Sequence, residues 1–447
     1  LTHPNDHPAS SVLTRQLGVS GATLMGLGSI LGTGVFVSLA IAAGVAGPSV
    51  ILATALAAVV ATCNALSSAQ LAAAHPVSGG TYEYGYQYLK PVFGFTAGWM
   101  FLCAKTASAA TAALGFAGYL LNAVGASSLE YRIGLALTAV LVLTAIAAGG
   151  VTRSNRANIL IVGLTLAALC AFVATVLPSA LRNGSENLTP FFGAPSGTAG
   201  GWVRNLLHAT ALMFVAFTGY GRIATLGEEV RDPRHTIPRA IVSTLIVSAL
   251  LYAAVAIAAV GAAGAGRLSA STGETAAPLE IVAREFGELP GVAWFVALGA
   301  VTAMLGVLLN LVLGLSRILL AMGRRGDAPR VLATLNASNT TPYVAVWVVG
   351  VAIAALTLIG DVKTTWSFSA FTVLVYYAIT NLAALRLPAE NRLFSPVWAW
   401  GGLASCVFLA FWVEPRVWLA GLLLIGLGLL WHAVTRHLTS RTGEALR

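Results

Sequence analysis

Twelve long apolar runs constrain this chain more than any other feature. They cover roughly 19–42, 48–73, 92–121, 131–150, 156–178, 204–226, 238–263, 290–322, 342–360, 364–386, 396–413 and 416–435. A helix crosses the hydrocarbon core of a bilayer with about 20 residues. Only helices and closed barrels satisfy their own backbone polar groups in lipid, and barrel strands alternate in polarity at every second residue. These runs are continuous, so the sequence predicts an all-α membrane protein with 12 transmembrane helices. Composition excludes the alternatives. Only 9% of residues are charged and 57% are hydrophobic, whereas a soluble domain carries about 25% charged residues. A soluble enzyme, a DNA-binding module and a disordered scaffold all need a water-facing surface that this chain cannot supply.

The net charge of +9 is mostly arginine; the lysines are Lys90, Lys105 and Lys363. With the N-terminus placed in the cytoplasm, the loops on that side hold 15 basic residues and the opposite loops hold 7. The positive-inside rule then puts both termini in the cytoplasm of a multi-pass cell-membrane protein, and the basic excess implies no nucleic-acid partner. The chain divides into a cytoplasmic segment 1–18, five spans in 19–178, five more in 204–386, two in 396–435 and a cytoplasmic tail 436–447. The stretches 179–203 and 264–289 read as outer loops, and the sequons at Asn183 and Asn187 as chance matches. The first 17 residues are polar and the first apolar run continues as a full span, so no cleavable signal peptide is expected. The four cysteines lie in apolar runs without a CxxC pair. Neither a metal centre nor a disulfide framework is expected.

Two spans are interrupted by glycine. The first reads Gly26-Leu-Gly28-Ser29-Ile30-Leu31-Gly32-Thr33-Gly34-Val35-Phe36, and the sixth Phe214-Val-Ala-Phe217-Thr218-Gly219-Tyr220-Gly221-Arg222. Each glycine costs a helix interior about 1 kcal/mol relative to alanine. Close packing through small residues explains such clusters. So does unwinding at the bilayer midplane, where freed backbone groups hold a substrate, and the five-span separation suits an inverted repeat. Free N–H groups of Gly32, Thr33 and Gly34 at the start of a half-helix favour a carboxylate. Carbonyls near Ser29, Ile30, Phe217 and Thr218 would accept from an ammonium. An amino acid zwitterion, a small-molecule partner inside the lipid bilayer, satisfies both sets.

Four motifs in order carry a family resemblance over about 15–436. They are Gly28-Ser-Ile-Leu-Gly-Thr-Gly-Val-Phe36; Ala74-His-Pro76-Val-Ser-Gly79-Gly80-Thr81-Tyr82 followed by Gly98-Trp99; Gly227-Glu228-Glu229-Val230-Arg231-Asp232-Pro233 through Ile237-Pro238-Arg239-Ala240; and Ser316-Arg317 with Ala321-Met322-Gly-Arg-Arg-Gly326 and Pro329. The sequence resembles the amino acid–polyamine–organocation superfamily of transporters. The resemblance implies a leucine-transporter-type fold, with ten core helices as a 5+5 inverted repeat plus two C-terminal helices. Some similar proton-coupled members carry a lysine in span five where this chain has Thr165. Others carry a glutamate where this chain has Gln70, or near Cys103-Ala104-Lys105. Proton coupling is therefore not implied.

None of the 16 acidic residues falls at mid-span. A cationic substrate would have no buried counter-charge, so neutral or acidic amino acids are expected over cationic ones. Ionisable groups inside spans are functional candidates. By position Lys105 would face the central site in similar proteins, and three roles compete for it: a side chain snorkelling to the cytoplasmic edge, a carboxylate anchor, and a proton carrier. Arg222 is either a substrate anchor or a structural brace. Asn310 either lines the pocket or bonds between helices, and Phe214, Phe217 and Tyr220 are gates or packing. Thr165 and the hydroxyls of span eight are weak sodium ligands. Glu228 and Glu229 with Arg153 suit a cytoplasmic gate. No catalytic residues are expected, and no cofactor beyond a coupling proton or sodium ion. The expected function is secondary amino acid transport by alternating access. An exchanger or uniporter uses the same site, and a transporter-like nutrient sensor is more remote.

Overall fold

The computed structural model describes residues 17–77, 79–126, 128–150, 155–193, 201–225, 230–336 and 341–444, without the side chains of 155 and 437–444. The apolar runs fold mostly as helix, and the first of them is interrupted after Ile30. Its first half contains α1 (Val19–Ile30), α2 (Leu39–Ala46), α3 (Val50–Ala74), α4 (Thr81–Tyr88), α5 (Pro91–Ala123), α6 (Leu129–Ala148) and α7 (Asn155–Asn187). The second half contains α8 (Trp202–Phe217), α9 (Gly221–Ala224), α10 (Pro233–Glu274), α11 (Pro278–Phe286), α12 (Val292–Arg325), α13 (Tyr343–Thr357) and α14 (Val362–Leu385). Helices α15 (Pro396–Ala410) and α16 (Pro415–Glu444) follow. Among the described residues, nine helical stretches are long and apolar enough to cross a membrane. The first, Val19–Ala74, runs from α1 through α3; α13 and α15 are shorter apolar helices.

Local chemistry sets many of the helix starts. Helices α5, α10, α11, α15 and α16 begin on proline, whose missing N–H is not needed in a first turn. Asp361 caps α14, accepting from the N–H groups of Lys363 at 3.1 Å and Thr364 at 2.9 Å. Helix α12 ends at Gly326, which adopts a left-handed φ of 85°.

Burial separates inner from outer helices. The most apolar windows of α1–α3, of α5 and of α8–α9 are each 78% buried, against 17% for α16. Helix α10 packs along α7 and α3, and α5 along α12 and α14. In lipid such packing depends on close van der Waals contact rather than on expulsion of water, and glycines such as Gly28, Gly115 and Gly299, where a Cβ would crowd a neighbouring helix, serve it.

Helix extends into both stretches read as loops: it covers most of 264–289, and in 179–203 it reaches Asn187. Helix α7 continues through 179–187, and α10 continues through 264–274 past a kink at Gly264, where φ is 75° and ψ 155°. The kink frees backbone carbonyls, and Asn187 satisfies them: its amide donates to Gly261 O and Ala262 O, both at 2.9 Å. Asn183 reaches Ala262 O at 3.4 Å. Both sequon asparagines thus turn their amides onto α10. Their polarity is spent on a helix bend, which is why the polar, glycine-containing residues 179–187 extend α7.

The two ends of the bundle are closed differently. At one end, α11 lies over the bundle. The Tyr119 hydroxyl donates to Phe36 O at 2.8 Å and accepts from Leu279 N at 3.1 Å, tying α5, the helix after the first break and α11 together. Glu280 is fully buried there, with Arg284 at 2.7 Å. Burial pushes the Glu280 carboxyl above its usual range, and Arg284 opposes that shift. At the other end, Asp327 collects Tyr82 Oη at 2.7 Å and Tyr86 Oη at 2.5 Å, with His432 Nδ1 at 3.3 Å. Arg325 bonds Glu83 at 2.6 Å and lies 4.0 Å over the Tyr86 ring.

Candidate functional site

Helix α1 stops at Ile30, and the chain resumes as a π-helical turn, Gly34–Ser38, that runs into α2. The last bond of the first half is Leu31 N to Leu27 O at 2.7 Å. The next bonds run from Val35 N and Phe36 N to Gly32 O, both at 3.2 Å. The N–H groups of Gly32, Thr33 and Gly34 therefore open the second half with no partner from the first. Helix α8 tightens into a 3₁₀ turn at Thr218–Tyr220 before α9. Both interruptions fall where the glycines stand.

The breaks touch each other through backbone. A Cβ on Gly219 would collide with Ser29 O and lie 2.5 Å from its carbonyl carbon and 2.6 Å from Ile30 N. A Cβ on Gly34 would lie 2.9 Å from Ala216 Cα. These glycines are required by the approach of two main chains, as well as tolerated in broken helices.

Between the breaks lies a cavity of about 40 Å³. The first break contributes Ser29, Ile30, Thr33 and Gly34, and the second Val215, Ala216, Thr218 and Gly219. Helix α5 adds Lys105 and Ser108, α12 adds Val307 and Leu311, and α14 adds Trp366. Lys105 Nζ donates to Thr218 Oγ1 at 2.9 Å, and Thr218 Oγ1 donates to Val215 O at 2.8 Å. Lys105 thus points at the second break rather than to an edge of the bundle. The buried Thr33 hydroxyl has no partner among the described residues.

Other candidates sit elsewhere. Phe214, Phe217 and Tyr220 are fully buried and pack on aromatic neighbours, Phe214 and Tyr220 on Tyr377 and Phe217 on Tyr252. Asn310 lies beside the Val307–Leu311 pair and does not line the cavity. Thr165 is buried near Gly299 and bonds Ile161 O of its own helix. Arg222 follows the second break in α9 and is also outside the lining. Arg153, Glu228 and Glu229 lie outside the described residues. Among the described residues no group of three His, Cys, Asp or Glu side chains is placed to hold a metal.

Two tyrosines were not legible as site residues. Tyr252 Oη lies 2.8 Å from Ile30 O and 3.4 Å from Ala216 O, so one hydroxyl spans both breaks. Tyr377 Oη donates to Thr218 O at 3.2 Å. The carbonyls of Ile30 and Thr218, expected to be free, thus each accept one bond already and keep a second lone pair. Tyr252→Phe would leave a buried carbonyl unsatisfied at a cost of about 1–3 kcal/mol. A lower melting midpoint in detergent is the expected result, with a smaller fall for Tyr377→Phe, whose bond is longer. Ser108 could have been found, because it lies one turn from Lys105 on the same face.

The amino acid permease family matches residues 21–413. An uncharacterized transporter of Mycobacterium tuberculosis is 41% identical over 448 residues, covering 99% of this chain and 95% of its own. The branched-chain amino acid permease BcaP of Bacillus subtilis is 28% identical over 77% of this chain and 74% of its own. The methylthioribose transporter of the same organism is 26% identical over 94% and 93% respectively. With its apolar helices crossing several times and its match extending over nearly the whole sequence, this chain is a multi-pass membrane protein that belongs to the amino acid permease family of transporters.

Proposed function

We propose that the chain is a secondary transporter that moves amino acids across the cell membrane by alternating access. In this reading twelve spans form a 5+5 inverted repeat plus two C-terminal helices, with both termini cytoplasmic. The substrate is held where the first and sixth spans break. The observation that carries this is the backbone-to-backbone contact of Gly219 with the Ser29–Ile30 peptide beside a cavity. The N–H groups of Gly32, Thr33 and Gly34 take the substrate carboxylate, as a helix start favours an anion. The remaining lone pairs of the Ile30 and Thr218 carbonyls, with Ser29 O, take the ammonium. Phe214, Phe217 and Tyr220 back the second break, and Asn310 supports the wall formed by Val307 and Leu311. Thr165 stays a candidate for an ion beside the first span, and Arg222 braces α9. Arg153, Glu228 and Glu229 are assigned to the cytoplasmic gate.

The cavity volume supports a cycle of opening and closing. A water needs a cavity of roughly 10–15 Å³, so about 40 Å³ holds a few waters. An amino acid requires the site to widen. The Tyr119 bridge under α11 closes one end and the Asp327 network the other, so the cycle opens one of these two closures at a time.

The test is uptake into proteoliposomes of a radiolabelled panel of neutral, acidic and cationic amino acids, with and without proton and sodium gradients. Accumulation driven by a gradient is the expected result. Movement only against internal substrate would identify an exchanger, and equilibration without a gradient a uniporter. Failure of folded protein to move any amino acid would overturn the proposal, and methylthioribose is the control for another cargo.

A further inference from the structure

Resting on that reading of the cavity, we propose that Lys105 binds a second anionic group on the substrate, so that the site takes acidic amino acids. The polar side chains of the cavity are almost all committed within the protein. Ser29 Oγ donates to Met25 O at 3.1 Å, and Ser108 Oγ pairs with Ser369 Oγ at 2.8 Å. Trp366 Nε1 donates to Leu212 O at 3.0 Å, and Thr218 spends its proton on Val215 O. Two side-chain groups keep capacity to offer. One is the Thr33 hydroxyl. The other is the Lys105 ammonium, which carries three donors and has Thr218 Oγ1 as its acceptor.

Charge balance then selects the cargo. The lining contains no carboxylate and no histidine. Lys105 therefore stands beside the breaks with a neutral hydroxyl as its partner. A buried charge without a counter-charge is costly. A neutral zwitterion fills the backbone groups and leaves the lysine uncompensated. A cationic amino acid adds a second positive charge at close range. An amino acid bearing a second carboxylate has net charge −1, so its binding neutralises the site. Its α-groups occupy the breaks, and its side-chain carboxylate reaches the lysine. Acidic substrates are thus ranked first, neutral ones second and cationic ones last.

The experiment measures inhibition constants on the purified full-length protein in proteoliposomes, using aspartate, asparagine, glutamate, glutamine and lysine. The expected result is that each acid binds at least about 10-fold tighter than its amide, the factor given by one charged hydrogen bond. Lysine should be weakest. In Lys105→Met, which keeps the length and removes the charge, the acid-over-amide ratio should fall to about one or below; Lys105→Arg should restore part of it. A wild-type protein that binds the amides as tightly as the acids overturns the proposal while leaving amino acid transport intact. An acid preference unchanged in folded Lys105→Met overturns it too. Absence of binding by every amino acid, neutral ones included, would instead sink the parent reading of the cavity.

Discussion

Gly219→Ala is expected to lower amino acid uptake by about 10- to 100-fold while leaving the protein inserted and folded. The added methyl group has nowhere to go. It would meet Ser29 O, the Ser29 carbonyl carbon and Ile30 N, which are main-chain atoms that cannot rotate away as a side chain can. The second break must move off the first, and overpacking of this kind costs about 1–3 kcal/mol. That displacement separates the two halves of the proposed site, so the loss falls on substrate affinity. Gly163→Ala is the matched control, because no atom lies within 4 Å of a Cβ there. Equal uptake by the two variants would show that the contact between the breaks is not needed for transport.

Asp327→Ala is expected to give the largest loss of stability, about 2–5 kcal/mol, from leaving two buried hydroxyls without their acceptor. Asp327 is 5% exposed and binds hydroxyls from two turns of α4, while its carbonyl accepts from Trp431 Nε1 of α16 at 2.9 Å. Helix α4 lies outside the spans. There burial, reinforced by the neighbouring carboxylate, pushes the Tyr82 and Tyr86 hydroxyls well above the usual phenol range. They therefore remain donors throughout the physiological pH range. Removing their acceptor strands both, and His432, stacked on Phe95 at 4.5 Å, loses its charged neighbour. The measurement is the melting midpoint in detergent. A midpoint within a degree of wild type would mean that α4, α12 and α16 are held without this carboxylate.

The helices and the two breaks were legible because their signals are local. An apolar run long enough to span, a proline at a helix start and a cluster of glycines inside a run are each read within a few residues. The cavity walls were not. Inner and lipid-facing sides of these helices are both apolar, so the sequence cannot say that Val307 and Leu311, rather than Asn310, face the site. Tyr252 reaches Ile30 across 222 positions and Trp366 reaches Leu212 across 154; no spacing rule connects them. Residues 179–187 and most of 264–289 misled because their polar residues suggested water. In the structure Asn187 directs that polarity at α10 instead. Lys105 was legible as an anomaly facing the central site by its position in similar proteins, and its bond to Thr218 came from the fold.

The small cavity also has a consequence for hydration. If the resting site holds a few waters and the loaded site an amino acid, the intervening open state must draw in many more. Opening is then a step of water uptake as well as helix movement. Solutes excluded from the protein surface favour compact states. In the proposed cycle, such solutes added to the bath on the open side oppose that step, so turnover would follow the water activity of the medium as well as the concentration of cargo.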